Sequence, residues 1–263
     1  MKKLLSFSFL LFTCAYGIGQ TLQTTKPAPP PPVESIKMTP AMTEIWDPEV
    51  KIIQPGMTNI DAPSDAIVLF NGTDLNSEWT DIQGNPSKWI VKDGAVTVAR
   101  GAGILKTKRK FSNFQLHIEW RTPAEVVGES QGRGNSGIFL QELYEVQVLD
   151  SYDNRTYRHG QAGSLYKQYA PLVNVCRKPG EWQTYDIIYT APTFNSDTTT
   201  YYTPPRVTVL QNGVLIQNNV SLRGPTEYIG IPEYFIKKHG PGSIELQDHG
   251  HPVSYRNIWI REL

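Results

Sequence analysis

From Ala66 onward the chain alternates apolar and polar residues with the two-residue period of half-buried strands. Phe114, Leu116, Ile118 and Trp120 fall on one side, and Gln115, His117, Glu119 and Arg121 on the other. Tyr185, Ile187 and Tyr189 repeat the pattern against Thr184, Asp186 and Ile188. Residues 207–210 and 214–216 are apolar-rich runs joined by Asn212-Gly213, a pair that readily takes the positive φ of a tight hairpin turn. Ile258 and Ile260 mark a closing strand. Short strands recur with turns between them, and no stretch carries the 3.6-residue period of a long amphipathic helix. The pattern predicts an all-β fold, a two-sheet antiparallel sandwich.

The first 65 residues follow other rules. Lys2 and Lys3 precede an apolar run over 4–12 broken only by Ser6 and Ser8, the charged start and short apolar centre of a secretory signal. Such a run is too short to remain as a membrane span. Gly17-Ile18-Gly19 places cleavage before Gln20, so residues 1–19 are expected to be removed and the protein to be periplasmic or secreted. Cys14 offers the alternative of a lipid-anchored outer-membrane form. Residues 26–32 hold five prolines and read as a semi-rigid spacer. Residues 33–64 carry Pro40, Pro48, Pro55 and Pro63 among isolated apolar anchors such as Ile45, Trp46, Ile52 and Ile53. The expected organisation is a signal (1–19), a Pro-rich tether with an irregular arm (20–65) and one β domain (66–263).

Charge then narrows the choice of partner. Lys+Arg and Asp+Glu number 25 each, and loss of the signal leaves 23 basic and 25 acidic residues, net −2. A nucleic-acid partner calls for a basic surface, so it is excluded, whereas neutral ligands suit this balance. Loss of Cys14 leaves Cys176 alone, with no intramolecular disulfide to form. Cys176 sits in Val173-Asn174-Val175-Cys176 with no local catalytic pattern and reads as a small buried residue.

Candidate chemistry concentrates in two stretches. In Tyr144-Glu145-Val146-Gln147-Val148-Leu149-Asp150, Glu145 and Gln147 project from one face and Val146 and Val148 from the other. A bulge after Gln147 would return Asp150 to the side of Glu145, whereas strict alternation sends it to the opposite face. Asn135 and nearby glycines flank this strand, and inward-facing polar groups lose hydration unless they bind something. The bland alternative is an ordinary solvated strand face. The second stretch, Gln247-Asp248-His249-Gly250-His251, could place one imidazole as a base oriented by Asp248. The same pair of histidines leaves room for a divalent cation, although no third ligand stands at a recognisable spacing and no other cofactor is implied. His117 is expected to meet solvent on the polar face of its strand, and His159 and His239 to lie in loops.

The ordered series Leu69-Phe70-Asn71-Gly72-Thr73-Asp74-Leu75, Gly134-Asn135-Ser136-Gly137-Ile138-Phe139, Tyr144 to Asp150, Ala162-Gly163-Ser164-Leu165-Tyr166, Lys178-Pro179-Gly180-Glu181-Trp182, Leu246-Gln247-Asp248-His249-Gly250 and Tyr255-Arg256-Asn257-Ile258-Trp259-Ile260 resembles the 3-keto-disaccharide hydrolase family over residues 66–263. The resemblance implies a jelly roll of the concanavalin A-like lectin/glucanase type acting on a glycan or an oxidised disaccharide. Residues 191–205 and 225–240, the latter with Tyr228, Tyr234 and Phe235, look like elaborations that reshape a cleft rim.

Glucanases of that fold carry E-x-D-x-x-E, where this chain has Glu145-x-Gln147-x-x-Asp150, a poorer arrangement for direct displacement. A 3-keto sugar opens another route, because the ketone acidifies the C2 proton and allows expulsion of the C1 substituent before water adds. On that reading Glu145 and His249 share acid and base roles with help from Asp150. Asn135, Gln147, Tyr166, Lys167 and Gln247 bind the sugar. The competing readings are a non-catalytic carbohydrate-binding module, a glucanase acting directly on unoxidised glycans and, last, a structural surface protein.

Overall fold

The structure, a computed structural model, describes residues 35–196, 201–229 and 235–263. The expectations about the signal, Cys14, the proline run and Tyr234 lie outside these residues. The chain divides into two units, 1–50 and 51–263. In the first, Pro40–Thr43 forms one 3-10 turn. Among the described residues no helix is long and apolar enough to cross a membrane.

The second unit is the predicted antiparallel sandwich. One sheet has eight strands: β1 (Ile67–Phe70), β3 (Ile90–Lys92), β4 (Ala95–Thr97), β6 (Phe114–Arg121), β9 (Gln183–Thr190), β12 (Arg206–Gln211), β13 (Val214–Ser221) and β15 (Ser254–Glu262). The other has five: β2 (Trp79–Thr80), β5 (Leu105–Thr107), β14 (Glu245–Leu246), β7 (Asn135–Leu140) and β8 (Tyr144–Leu149), in that spatial order. A separate pair, β10 (Thr193–Phe194) and β11 (Tyr201–Thr203), lies within the 191–205 elaboration. Asn212 (φ 51°) and Gly213 (φ 79°) turn β12 into β13 in the left-handed region, as their sequence predicts.

One apolar layer joins the sheets. Leu116, Ile118 and Trp120 of β6 and Tyr185 and Ile187 of β9 form a single buried cluster with Ile138 and Leu140 of β7, Val146 and Val148 of β8 and Leu246 of β14. Polar ties cross this layer. Tyr255 on β15 donates its hydroxyl to Ser136 Oγ at 2.7 Å, and Ser136 donates onward to the Gln247 carbonyl at 2.6 Å. Tyr185 on β9 donates to the Gln147 carbonyl at 2.8 Å. The larger sheet therefore bolts the smaller one from behind at the two segments that carry candidate site residues.

The outer face of the larger sheet departs from expectation. His117 is fully buried and does not meet solvent. A bulge in β15 sets Asn257 and Ile258 against the single residue Ile118, with Asn257 at φ 45°. Tyr255, Ile258 and Ile260 all reach the core, while Trp259 folds over His117 at 5.2 Å between ring centroids. His117 Nδ1 pairs with Asp186 at 2.7 Å. Burial opposes charge on this imidazole, yet Asp186 and Glu119 hold its pKa above the ordinary value. Burial likewise opposes charge on Glu119, but the His117 imidazole 4.0 Å away and hydrogen bonds from Asn257 and Arg256 bring its carboxyl down to about 2. A period-two pattern marks which side a residue faces, not whether a tryptophan covers it. The segment preceding β1 is held to this sheet: Asp65 pairs with Arg261 at 3.0 Å, and the Ile60 carbonyl accepts from Trp259 Nε1 at 2.9 Å.

The cross-layer ties predict a graded stability series. Tyr255→Phe removes one donor and leaves Ser136 bonded to Gln247, which costs about 1 kcal/mol. Ser136→Ala strands a buried phenol and a carbonyl together and costs about 1–3 kcal/mol. Urea unfolding should rank Ser136→Ala as the more damaging change, with the double variant less than additive.

Candidate active site

Strands β7 and β8 form a hairpin turning through Gln141 (φ 53°) and Glu142 (φ 66°) and run in unbroken register from Leu140 opposite Tyr144 to Asn135 opposite Leu149. Directly opposed residues share a face, so Asn135, Gly137 and Phe139 lie with Glu145 and Gln147 on the side away from the core. The segment after β8 extends the sheet beyond its last strand: the Gln147 amide donates to the Ser164 carbonyl at 3.0 Å, and Tyr166 donates to the Glu145 carbonyl at 3.2 Å. This brings Tyr166 and Lys167 against the floor. On the other side β14 continues into Gln247, whose amide donates to the Gly137 carbonyl at 2.9 Å.

The result is a cleft of about 380 Å³, within the range of small-ligand sites. Seven of the eight residues expected at the site line it: Glu145, His249, Asn135, Gln147, Tyr166, Lys167 and Gln247. The eighth does not. With no bulge in β8, Asp150 leaves the cleft and is held by Arg133, whose Nε lies 2.9 Å away and whose Nη2 lies 2.5 Å away. Its backbone carbonyl also accepts from Asn154, which grips Ser130 through both its amide nitrogen and its oxygen. Asp150 is thus tied to the Ser130–Gly132 turn, through Asn154 and through Arg133 that follows it.

Gln131, Phe139, Tyr157, Thr226 and Tyr228 also line the cleft, and residue pattern alone did not mark Gln131, Phe139, Tyr157 or Thr226. Gln131 and Tyr157 stand in or beside single 3-10 turns, where no periodicity reports direction. Thr226 and Tyr228 belong to the 225–240 elaboration expected at the rim, and Thr226 Oγ1 accepts from the Glu145 amide at 3.0 Å.

Glu145 is the electrostatic centre. It is 5% exposed, and desolvation alone pushes its carboxyl up to about 8. Gly137 makes room for it: a Cβ there would stand 2.3 Å from Glu145 Oε1. Gln147 lies in contact and suits either protonation state. With its amide turned, its nitrogen donates to Glu145 Oε1 at 3.1 Å and to the Ser136 carbonyl at 3.2 Å. With its oxygen on that side, it accepts the proton of neutral Glu145. Around this pair the floor is built of carboxamides: Gln131, Asn135, Gln147 and Gln247, the last with a buried Oε1 that has no partner among the described residues. Such groups donate to and accept from hydroxyls without fixed charge.

The walls are aromatic and imidazole. Tyr157 and Tyr166 share a hydrogen bond at 2.5 Å, and Lys167 Nζ stands 4.7 Å from the Tyr157 ring and 5.2 Å from the Tyr228 ring. His249 stacks on His251 with centroids 5.6 Å apart and planes 10° from parallel. Asp248 orients neither ring: its carboxylate accepts from the amides of Gly103 and Gly250 and fastens the loop. Among the described residues no group of three or more His, Cys, Asp or Glu side chains converges as a metal cage. Cys176, pushed up to about 11 by burial, is no ready nucleophile and lies outside the cleft.

The buried carboxyl makes a signed prediction. Unfolded, Glu145 releases its proton near pH 4.5; folded, it keeps it until about pH 8. Between those values the folded state binds more protons, so this group's contribution to stability falls as pH rises and levels off above about 8. Glu145→Gln should gain on wild type by a few kcal/mol from pH 5 to pH 8 in denaturant unfolding. Gly137→Ala, which forces the carboxyl out, should flatten the wild-type dependence in the same direction. Parallel curves for all three proteins would contradict the assignment.

The 3-keto-alpha-glucoside-1,2-lyase-like domain model matches residues 65–261. A 3-keto-disaccharide hydrolase of Bacteroides thetaiotaomicron is 28% identical over 254 residues, covering 79% of this chain and 82% of the relative. A crystal structure of a candidate glycosyl hydrolase from Parabacteroides distasonis is 54% identical with a TM-score of 0.80, covering 88% of this chain and 100% of that one. A second from the same organism is 23% identical with a TM-score of 0.55, covering 76% and 94%, and shares the fold. The matched span contains every cleft residue named above and both sheets but for the last residue of β15, and the chain belongs to the 3-keto-alpha-glucoside-1,2-lyase-like domain family of carbohydrate-active hydrolases.

Proposed function

We propose that this protein is an exported enzyme that cleaves the glycosidic bond of 3-keto-glycosides by elimination followed by hydration. The observation that carries the reading is Glu145, a carboxyl held mostly neutral at pH 7 in a floor of carboxamides. A neutral carboxylic acid is the group needed to protonate a leaving alkoxide. His249, on the opposing loop of the same cleft, is the base.

In this scheme His249 takes the C2 proton, and the electron pair passes toward the C3 ketone as an enolate. The enolate then expels the C1 oxygen, which takes its proton from Glu145. Water adds at C1 of the resulting enone as C2 regains a proton, so the net change is hydrolysis. Asn135, Gln147 and Gln247 hold the ring hydroxyls and stabilise charge on the ketone oxygen, in the manner of an oxyanion site. Tyr157, Tyr166 and Lys167 form the wall against which the sugar packs. The 3-keto-disaccharide hydrolase named above supports the choice of an oxidised substrate. Export rests on the charged start and apolar run of residues 1–19.

Incubation with a 3-keto-disaccharide should release free sugars, while the unoxidised disaccharide stays intact. In deuterium oxide the 3-keto product should carry deuterium at C2. Glu145→Gln and His249→Ala should each lower kcat by about 10²–10⁴. Cleavage of the unoxidised sugar at a comparable rate would make the protein a direct glycosidase. Binding of both sugars with no product would make it a binding module.

A further inference from the structure

The floor of the cleft continues past the cavity. Glu245 on β14 is the direct cross-strand partner of Phe139 on β7, which is in turn the partner of Glu145 on β8. On its other side Glu245 pairs with Lys106 on β5. Directly opposed residues in an antiparallel sheet project to one face, so Lys106, Glu245, Phe139 and Glu145 form one row across four strands. Neighbours confirm the facing: Leu246 points into the core with 0% exposure, whereas Gln247 lines the cleft. With strands about 4.8 Å apart, Glu245 stands roughly 9.6 Å along the floor from Glu145. Phe139 lies between them as a partly exposed apolar platform.

Glu245 is otherwise unexplained. It is 9% exposed, and among the described residues its carboxyl has no hydrogen-bond partner, with only the charges of Glu142 and Lys106 acting on it beside burial. Burial first, then Glu142, pushes that carboxyl up to about 7. Lys106 pairs instead with Glu142 at 3.9 Å and keeps 26% of its side chain exposed. A carboxyl with spare bonding capacity, an ammonium beside it and an aromatic platform next to both make the combination that holds a hydroxyl-rich ring.

We propose that Glu245 and Lys106 form a second subsite that holds the leaving half of the substrate when that half is itself a sugar. The C1 bond lies over Glu145, the departing ring passes across Phe139, and its hydroxyls reach Glu245 and Lys106. The pair thereby favours a departing sugar over a small alcohol at this end of the cleft. This rests on the proposed activity at the Glu145 end of the cleft.

The test compares a 3-keto-disaccharide with the 3-keto methyl glycoside for wild type, Glu245→Gln, Glu245→Ala and Lys106→Ala. The quantity read is the ratio of kcat/KM for the disaccharide to that for the methyl glycoside. Glu245→Ala should lower this ratio about tenfold, the loss expected for one buried hydrogen bond, with Glu245→Gln intermediate and Lys106→Ala reduced in the same direction. An unchanged ratio would overturn the subsite, including the case in which both substrates lose equally. If wild type cleaves neither substrate, the proposed activity fails on its own account. Calorimetry with the unoxidised disaccharide then decides the subsite: affinity weakened about tenfold by Glu245→Ala sustains it, and equal affinity or no binding by wild type overturns it.

Discussion

The site depends on keeping an ionisable carboxyl dry. Glu145 is almost fully buried, and desolvation is what acts on its carboxyl, a position that destabilises the charged form and would swell or distort a soft floor. The sandwich supplies a stiff one. Gly137 clears the space above the neighbouring strand, and Thr226 and Tyr166 fasten the backbone of Glu145 from the open edge. Tyr185 and Tyr255, rooted in the opposite sheet, hold the Gln147 and Gln247 segments from behind, directly and through Ser136. A carboxyl that must stay neutral can do so because its surroundings cannot relax to solvate it.

The two sheets use buried acids in opposite ways. On the outer face Glu119 is enclosed by His117, Arg256 and Asn257 and kept ionised, down at about 2. In the cleft desolvation alone acts on Glu145 and keeps it protonated up to about 8. Both are almost fully buried, so burial alone does not decide the outcome; the presence of compensating donors does. Glu119 therefore belongs to the stabilising machinery and Glu145 to the reactive surface.

Much of this was legible from residue order. Alternation in β6 and β9, the Asn212-Gly213 turn and the closing strand define the sandwich, and the Glu145–Gln147 alternation puts both side chains on one face. What escaped was whatever depends on a second element. The fate of Asp150 turned on whether β8 bulges, and Arg133 captures it once the strand runs regularly. The burial of His117 depends on Trp259, and that depends on the bulge at Asn257, 140 positions away along the chain. Gln131 and Tyr157 enter the cleft from turns whose direction no periodicity encodes. Residue order gives Glu245 no mark of its own, because only strand register places it in line with Glu145.

Everything in the cleft turns on Glu145 holding its proton through neutrality, and direct titration of that carboxyl is the simplest test. Carbon-13 NMR of the glutamate side-chain carboxyls, with Glu145→Gln used to identify the resonance, follows the group without reference to any substrate. The expected midpoint for Glu145 is near pH 8. A midpoint near the ordinary 4.5 would show that the carboxyl is ionised at pH 7 and would remove the general acid from the mechanism.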